Sequence, residues 1–151
     1  MKTSAGVLLY RKTGGKIEVL LVHPGGPFWK GKENGAWSIP KGEIEPGEKP
    51  FEAAKREFLE ETGFCPTGEG IELKPIKQKG GKIVMAWLMQ RDVDPTSFTS
   101  SSFEMEWPYK SGKKKTFFEV DKVAWFSPEE ALIKINNAQC GFIEEMKKLI
   151  G

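Results

Sequence analysis

The amino-acid sequence predicts a single α/β domain, and three observations support this prediction. Apolar, β-branched runs flank Gly-Gly pairs, which is typical of paired strands. A segment near the middle of the chain has the spacing and end signals of an α-helix, and a second helical pattern occupies the C-terminus. With 151 residues, of which 38% are hydrophobic, the chain can bury a sizeable core, so we expect one domain over residues 1–151.

The predicted strands form two pairs and two shorter segments. Six stretches are expected to be extended: Ser4–Tyr10, Ile17–Val22, Trp37–Pro40, Ile71–Lys77, Lys82–Gln90 and Val123–Phe126. The first two flank Gly14 and Gly15, and the fourth and fifth flank Gly80 and Gly81. Because glycine readily adopts the positive φ of tight hairpin turns, each of these pairs is expected to form a hairpin.

The central helix is predicted over Pro50–Thr62. Pro50 suits the first helical turn, where a free N–H is not needed, and Gly63 suits the left-handed residue that ends a helix. An apolar stripe recurs at intervals of three and four residues, through Phe51, Ala54 and Phe58. This stripe is expected to pack on the core.

Two further helices are predicted near the C-terminus. Ser127 is a good N-cap, followed by a proline at the first helical position and by Glu130 at the capping-box position. That helix is expected to stop near Asn136 and Asn137. A last helix, from about Gly141 to the end, has an apolar side made of Phe142, Ile143, Met146, Leu149 and Ile150.

Two long aromatic segments, His23–Ala36 and Asp92–Thr116, are predicted to be loops. Loops of this length in a compact domain are often functional. Aromatic rings beside lysines suit a site that stacks a base and holds phosphate. The alternative is that these rings fold back as a satellite of the core.

Three carboxylates, those of Glu57, Glu60 and Glu61, share one face of the central helix by their spacing. Like charges at this spacing cost a helix roughly 0.2–0.5 kcal/mol per pair, so a compensating cation is expected. Oxygen-only ligands favour Mg²⁺ or Mn²⁺ over zinc. The alternative is a solvated acidic face paired with Lys55 and Arg56.

The stretch from Gly42 to Phe64 reads GEIEPGEKPFEAAKREFLEETGF and fits G-x5-E-x7-R-E-(apolar)-x-E-E-x-G-(apolar) at all nine defined positions. It resembles the box that defines the Nudix family. The resemblance implies an α/β/α sandwich with a mixed β-sheet between helices. It also implies a metal-dependent hydrolase that cleaves the diphosphate link of a nucleoside diphosphate joined to another group.

The resemblance implies a role for each box residue. Glu57, Glu60 and Glu61 are expected to bind the metal, together with the backbone carbonyl of Gly42. Lys41 lies beside that loop and is expected to contact substrate. The expected ion is Mg²⁺ or Mn²⁺, and a pair of ions would clamp the attacking and leaving oxygens of the displacement.

An ion pair and one further carboxylate complete the expected site. Glu48 and Arg56 are expected to form an ion pair that locks the loop to the helix and orients Glu57, without contacting metal. Family members often use another carboxylate beyond the box as ligand or general base. Glu119 is the preferred candidate and Glu104 the alternative, so the general base remains open between Glu61, Glu119 and Glu104.

The stretch WSIPKGEIEPGE and the later WFSPEEA resemble the asymmetrical diadenosine tetraphosphate hydrolases and their bacterial relatives. A dinucleoside polyphosphate is therefore the expected substrate, with Trp29, Trp107 and Tyr109 as candidate base-stacking residues. A tyrosine that marks some of these hydrolases has no counterpart here, where the region is Lys79–Lys82. Pro75 comes too early for the proline of the ADP-ribose-specific members.

Three alternatives use the same fold. One is a nucleoside triphosphate pyrophosphohydrolase that removes noncanonical nucleotides, and a second acts on the 5′ ends of RNA. The third is a noncatalytic nucleotide sensor, which would be expected to have lost box carboxylates. Here Glu48, Glu57, Glu60, Glu61 and Arg56 are all present.

Composition bounds the remaining classes. A net charge of +2 is too small to indicate a nucleic-acid binder, although Lys110, Lys113, Lys114 and Lys115 form a basic run, expected to be a solvated loop or a phosphate contact. The two cysteines are expected to be free thiols, and His23 is expected to lack a catalytic or zinc-binding partner. No run is long enough for a membrane span, and a cytoplasmic protein is expected.

Overall fold

The computed structural model describes residues 2–151, and within them the chain forms nine strands and three α-helices. The strands are β1 (Thr3–Thr13), β2 (Lys16–Pro24), β3 (Lys41–Glu43), β4 (Ile71–Glu72), β5 (Ile76–Lys77), β6 (Ile83–Gln90), β7 (Ser102–Glu106), β8 (Lys114–Phe118) and β9 (Val120–Phe126). The helices are α1 (Pro50–Thr62), α2 (Pro128–Lys134) and α3 (Cys140–Ile150). Two single 3₁₀ turns lie at Pro95–Ser97 and Asn137–Gln139.

Seven strands make one mixed sheet with the order β4-β6-β1-β2-β9, in which β3 also pairs with β1 and β5 with β6. Strands β1 and β6 run parallel, with Leu8 opposite Leu88. Strands β1 and β2 form the predicted hairpin, and Gly14 and Gly15 in its turn have φ of 58° and 80°. The other two strands, β7 and β8, form a separate antiparallel hairpin, here named the arm (Ser102–Phe118).

Helices cover both faces of the sheet. Side chains alternate along β1, so Val7 and Leu9 lie on the face covered by α1, and Leu8 lies on the face covered by α2 and α3. From α1, Ala53, Ala54 and Phe58 are buried in the first layer. From the other two helices, Ala131, Phe142, Ile143 and Met146 are buried in the second. The α/β/α sandwich is thereby confirmed.

The helix ends follow the sequence signals closely. Helix α1 has the predicted bounds, and Gly63 ends it with φ of 80° and an N–H that donates to the Leu59 carbonyl at 2.8 Å. Helix α2 begins after Ser127, whose hydroxyl accepts the Glu130 backbone N–H at 3.1 Å. In α3, Leu149 is 49% exposed instead of packing with the apolar side, whereas the next residue, Ile150, packs against the core.

Three predicted elements differ from the structure. The Ile71–Lys77 strand is broken into β4 and β5, because Pro75 has no N–H to donate to a ladder. Trp37–Pro40 makes only isolated bridges, Val22 with Ser38 and Trp37 with Ile135, and the strand β3 begins at Lys41. The predicted loop at Asp92–Thr116 contains most of the arm, whose short strands lack the apolar runs used to identify strands.

No helix in the described part of the chain has the length and apolar character needed to span a bilayer. Cys65 and Cys140 are both free thiols, as predicted.

Candidate active site

A cleft of about 260 Å³ opens where the box loop, the end of α1 and the start of β9 meet. Its walls come from Val22, Pro24, Trp29, Ala36, Ser38, Ile39, Lys41, Glu61, Gln78, Glu119, Val120, Asn136 and Gln139. Glu61 and Glu119 therefore face the same cavity although 58 positions separate them in the sequence. Lys41 adds an amine to the wall that holds the two carboxylates.

The box loop lies directly against α1. Strand β3 brings Gly42 opposite Ala5 on β1, which fixes the loop on the sheet. A Cβ atom added at Gly42 would overlap the carboxylate of Glu57. A side chain at position 42 would therefore displace the Glu57 carboxylate from its bond to Arg56, and glycine leaves the Gly42 carbonyl close to the acidic residues.

Arg56 binds the loop to the helix. Its Nε and Nη2 donate to the two carboxylate oxygens of Glu48, at 2.8 and 3.0 Å, and Nη2 also donates to the Glu43 carbonyl at 3.1 Å. Its Nη1 donates to Glu57 at 2.8 Å and to Glu60 at 3.3 Å. The predicted Glu48–Arg56 pair is confirmed, and the same guanidinium orients Glu57.

Three carboxyl groups in or beside the cleft have raised pKa values. Burial, and then the charges of Glu57 and Glu119, raise the pKa of Glu61 to about 8. Burial also raises the pKa of Glu57, against the opposing effect of Arg56. Desolvation by burial, followed by the charge of Glu60, raises the pKa of Glu119. These groups are costly to ionise together, so the site favours a cation.

Lys41 provides only part of the positive charge that these carboxylates need. Burial lowers the pKa of its amine, while the neighbouring charges of Glu61 and Glu57 raise it. The Lys41 backbone N–H also acts on Glu61 as a hydrogen-bond donor that lowers the carboxyl pKa. The Lys41 ammonium therefore lies within the electrostatic influence of Glu61 and Glu57.

Glu119 is anchored at the junction between the arm and β9. Its backbone N–H donates to the Ser101 carbonyl, and its carbonyl accepts the Gly25 N–H, both at 2.8 Å. Glu104, the alternative base, is exposed on β7 and does not line the cleft. The geometry favours Glu119 over Glu104.

The three box carboxylates of α1 point in different directions. Within residues 2–151, no three Asp, Glu, His or Cys side chains stand close enough together to hold one metal ion. Arg56 draws Glu57 and Glu60 toward itself, whereas Glu61 points into the cleft. Helical spacing places the three residues on one face, but it does not fix the directions of their carboxylates.

The aromatic candidates separate into three environments. Trp29 lines the cleft and is 40% exposed. Trp107 lines a neighbouring groove and packs edge-to-face on Phe28, with ring centroids 5.8 Å apart. Tyr109 is 77% exposed and lies near Lys110 instead of in either cavity. The structure therefore brings Lys41 and Trp29 together, but not Trp107 or Tyr109 with them.

A polar floor in the cleft was missed. The Gln139 side chain is buried; its Oε1 accepts the Ile39 N–H at 3.0 Å, and its Nε2 donates to Ser38 at 3.0 Å and Gln78 at 3.1 Å. These residues lie in separate parts of the chain, and no motif surrounds Gln139. Sequence spacing contained no signal that could have identified this network.

His23 has an acidic hydrogen-bond partner that the sequence did not predict, although the described residues do not place it in a catalytic or zinc site. His23 is buried, with Nδ1 2.7 Å from an Asp121 carboxylate oxygen and Nε2 2.6 Å from the Lys32 carbonyl oxygen. Its ring also packs edge-to-face on Trp37 at 5.3 Å. His23 thus connects β9 to the loop of residues 24–36, outside the acidic site.

Comparisons with known proteins agree with this geometry. A family model described as the NUDIX domain matches residues 1–146. Bis(5′-nucleosyl)-tetraphosphatase [asymmetrical] of Caenorhabditis elegans is 43% identical over 61 residues, which are 40% of this chain and 40% of that relative. The matched segment therefore spans less than half of the curated relative's length.

Solved structures extend the likeness to the whole chain. A binary complex of the C. elegans Ap4A hydrolase superposes with a TM-score of 0.69 at 25% identity, covering 99% of this chain and 98% of that one. The NUDIX domain of Shewanella oneidensis NrtR, complexed with ADP ribose, shares the fold with a TM-score of 0.67 at 15% identity, over 99% and 88% of the two chains. With the family model matched over residues 1–146 and every defined box position present, the chain belongs to the NUDIX domain family.

Proposed function

We propose that this protein is a metal-dependent hydrolase that cleaves a phosphoanhydride bond in a nucleoside diphosphate linked to another moiety. The proposed substrate is a dinucleoside polyphosphate such as diadenosine tetraphosphate. The observation that carries the proposal is the shared cleft, in which Glu61, Glu119 and Lys41 face one cavity beside the Arg56-anchored box. The likeness to the C. elegans enzymes supports this choice of substrate.

The donor set fits a hard divalent cation. Every candidate ligand is an oxygen, from Glu57, Glu60, Glu61 and Glu119 and from the Gly42 carbonyl, which suits Mg²⁺ or Mn²⁺. Burial raises the pKa values of Glu57, Glu61 and Glu119, so a bound cation would favour the charged forms of these carboxyls. When bound, such an ion polarises a phosphoryl oxygen and makes water a better nucleophile.

The residues of the chain supply binding, orientation and proton transfer. Glu61 and Glu119 face the cleft, and one of them accepts the proton of the attacking water. Lys41 stabilises charge that develops on the phosphate oxygens. Arg56 and Glu48 keep the box loop on α1, so the Gly42 carbonyl and Glu57 hold their relative positions. Trp29 forms the outer wall, where a base can stack.

Product analysis tests the proposal. The purified protein is incubated with Mg²⁺ and diadenosine tetraphosphate, ADP-ribose or nucleoside triphosphates, and the products are separated by anion exchange. We expect AMP and ATP from diadenosine tetraphosphate, at higher kcat/KM than for the other substrates. Glu61→Gln should lose several orders of magnitude in kcat, whereas Glu52→Gln, an exposed residue paired with Lys55 on the same helix, should retain wild-type kcat.

Other outcomes would redirect the assignment. Preferred turnover of a triphosphate to monophosphate and pyrophosphate would contradict the proposed substrate and indicate a nucleotide-pool sanitiser. Absence of turnover on all small substrates would contradict the proposal and direct attention to RNA 5′ ends or to nucleotide sensing. Wild-type turnover in Glu61→Gln would remove Glu61 from the mechanism.

A further inference from the structure

A second cavity of about 610 Å³ lies next to the cleft, between the arm and the loop of residues 24–32. We name it the arm groove. It is lined by Gly25, Gly26, Pro27, Lys30, Trp107, Lys115, Thr116, Phe117, Phe118 and Asp121. Adjacent residues of the loop face different cavities: Pro24 and Trp29 line the cleft, whereas Gly25 and Lys30 line the groove. The two cavities therefore share one wall.

The shared wall is fixed by close backbone packing. The Gly25 N–H donates to the Glu119 carbonyl at 2.8 Å, and a Cβ at Gly25 would overlap the Phe118 carbonyl oxygen. Gly26 adopts φ of 95°, and its position lies against the Phe103 ring. The loop can lie this close to the arm because both positions are glycine. The groove is thus a built feature of the fold.

The arm directs its acidic side chains away from the groove. In β7, Phe103 and Met105 are partly buried, whereas Glu104 and Glu106 are exposed on the opposite face. Cross-strand pairing places Met105 opposite Lys115, and Lys115 lines the groove whereas Glu104 and Glu106 do not. Asp121, the one acid in the groove lining, has a carboxylate oxygen 2.7 Å from His23.

The groove therefore combines a cationic edge with an aromatic surface. Lys30 and Lys115 supply ammonium groups, and the half-buried indole of Trp107 supplies a flat surface braced by Phe28. Both purine and pyrimidine bases stack on an indole ring, and ammonium groups attract phosphate. A nucleoside with an adjoining phosphate matches both halves of this lining.

The size of the cleft points to the same ligand. At about 260 Å³ it is smaller than the roughly 300–1,000 Å³ of typical small-molecule sites. A molecule with two nucleosides on one polyphosphate chain needs additional room, and the adjacent groove offers it. Resting on the proposed hydrolase function, we propose that the arm groove binds the second nucleoside of the substrate and its adjoining phosphate, with Trp107 stacking the base.

The test compares two substrates that differ by one nucleoside, diadenosine tetraphosphate and adenosine 5′-tetraphosphate. KM and kcat are measured for wild type, Trp107→Ala, the double variant Lys30→Ala/Lys115→Ala, and Lys114→Ala. Lys114 neighbours Lys115 but lies on the other face of β8, opposite Glu106, and serves as the matched control.

Because stacking one base on an aromatic ring contributes about 1–3 kcal/mol, Trp107→Ala should raise KM for diadenosine tetraphosphate between about 5-fold and 150-fold. Its KM for adenosine 5′-tetraphosphate should stay within twofold, which also shows that the variant folds. The double variant Lys30→Ala/Lys115→Ala should raise the KM for diadenosine tetraphosphate more than Lys114→Ala does. Equal effects of Trp107→Ala on both substrates, or no effect on either, would overturn the assignment.

Binding separates failure of the groove from failure of the proposed function. If wild type hydrolyses neither substrate, the proposed function is wrong. Calorimetric binding of the same two ligands in EDTA then tests whether the arm groove binds the second nucleoside. Tighter binding of diadenosine tetraphosphate that Trp107→Ala abolishes would support the groove. Equal affinities for the two ligands in wild type would refute it.

Discussion

The two walls of the cleft differ in how their charges are balanced. On the α1 side, Glu57, Glu60 and Glu48 share one arginine, and Glu61 faces the cavity with a raised pKa. On the opposite side, Glu33 is the acidic residue of the loop of residues 24–36, and its carboxylate is paired with Lys122 and Lys134 at 3.3 and 3.2 Å.

This difference distinguishes charged groups that stabilise the fold from those proposed to act in catalysis. Paired charges such as those around Glu33 fasten a loop that has little apolar packing of its own. Unpaired carboxylates such as Glu61 oppose stability, because burial disfavours their charged form. Groups retained at such a cost are good candidates for binding a ligand. Substitutions of Arg56 and the carboxylates on the α1 wall should therefore reduce activity, whereas substitutions of the paired polar groups that fasten the loop should reduce stability.

The largest of these effects is expected for Arg56→Lys. A lysine amine cannot reproduce the fork that binds both Glu48 oxygens, the Glu43 carbonyl and Glu57. Loss of a residue that orients metal ligands typically costs about 10–100-fold in activity, and we expect kcat to fall by that amount. Steady-state kinetics measure it, with Lys55→Arg on the adjacent position as the control. Unchanged kcat would show that the guanidinium does not orient the site.

A smaller effect, on stability, is expected for His23→Ala. The substitution leaves the Asp121 carboxylate and the Lys32 carbonyl without their buried partner. We expect unfolding free energy to fall by about 1–3 kcal/mol, measured by urea denaturation. Lys32→Ala should not change it, because only the backbone of Lys32 takes part. If His23→Ala reduced kcat as strongly as Arg56→Lys, the division between the two walls would fail.

The smallest effect should come from Glu33→Gln and should depend on pH. The side-chain bonds from Lys134, Trp37 and Lys122 lower the pKa of Glu33 from 4.5 to about 2. The folded state therefore binds fewer protons than the unfolded state between these values. The stability that Glu33 adds is fully present above pH 4.5 and is lost as pH falls toward 2.

Urea midpoints at pH 5 and pH 3 test this expectation. Glu33→Gln should lower the midpoint at pH 5 and narrow the difference between the two pH values. Glu69→Gln, at an exposed glutamate in the loop after α1, should behave as wild type. If the urea midpoint changed equally between pH 5 and pH 3 in Glu33→Gln and in wild type, Glu33 would make no pH-dependent contribution to stability.

The same two walls show what could be predicted from sequence. The bounds of α1, its Gly63 cap and the Glu48–Arg56 pair were predictable because their signals lie within a few residues of one another. The His23–Asp121 pair joins positions 98 apart, and the Gln139–Ser38 contact joins positions 101 apart. Such contacts depend on the tertiary path of loops, which local patterns do not encode. The arm was missed because neither of its strands has a strong apolar run: β7 alternates polar and apolar residues, and β8 is polar except for its last two residues.

The central claim is that the box carboxylates facing the cleft bind a divalent cation. The most direct test is equilibrium Mn²⁺ binding, followed by electron paramagnetic resonance, in wild type, Glu61→Gln and Glu52→Gln. The account predicts saturable binding in wild type and Glu52→Gln, with affinity at least about tenfold weaker in Glu61→Gln. Equal affinity in all three proteins, or no saturable binding in wild type, would contradict it.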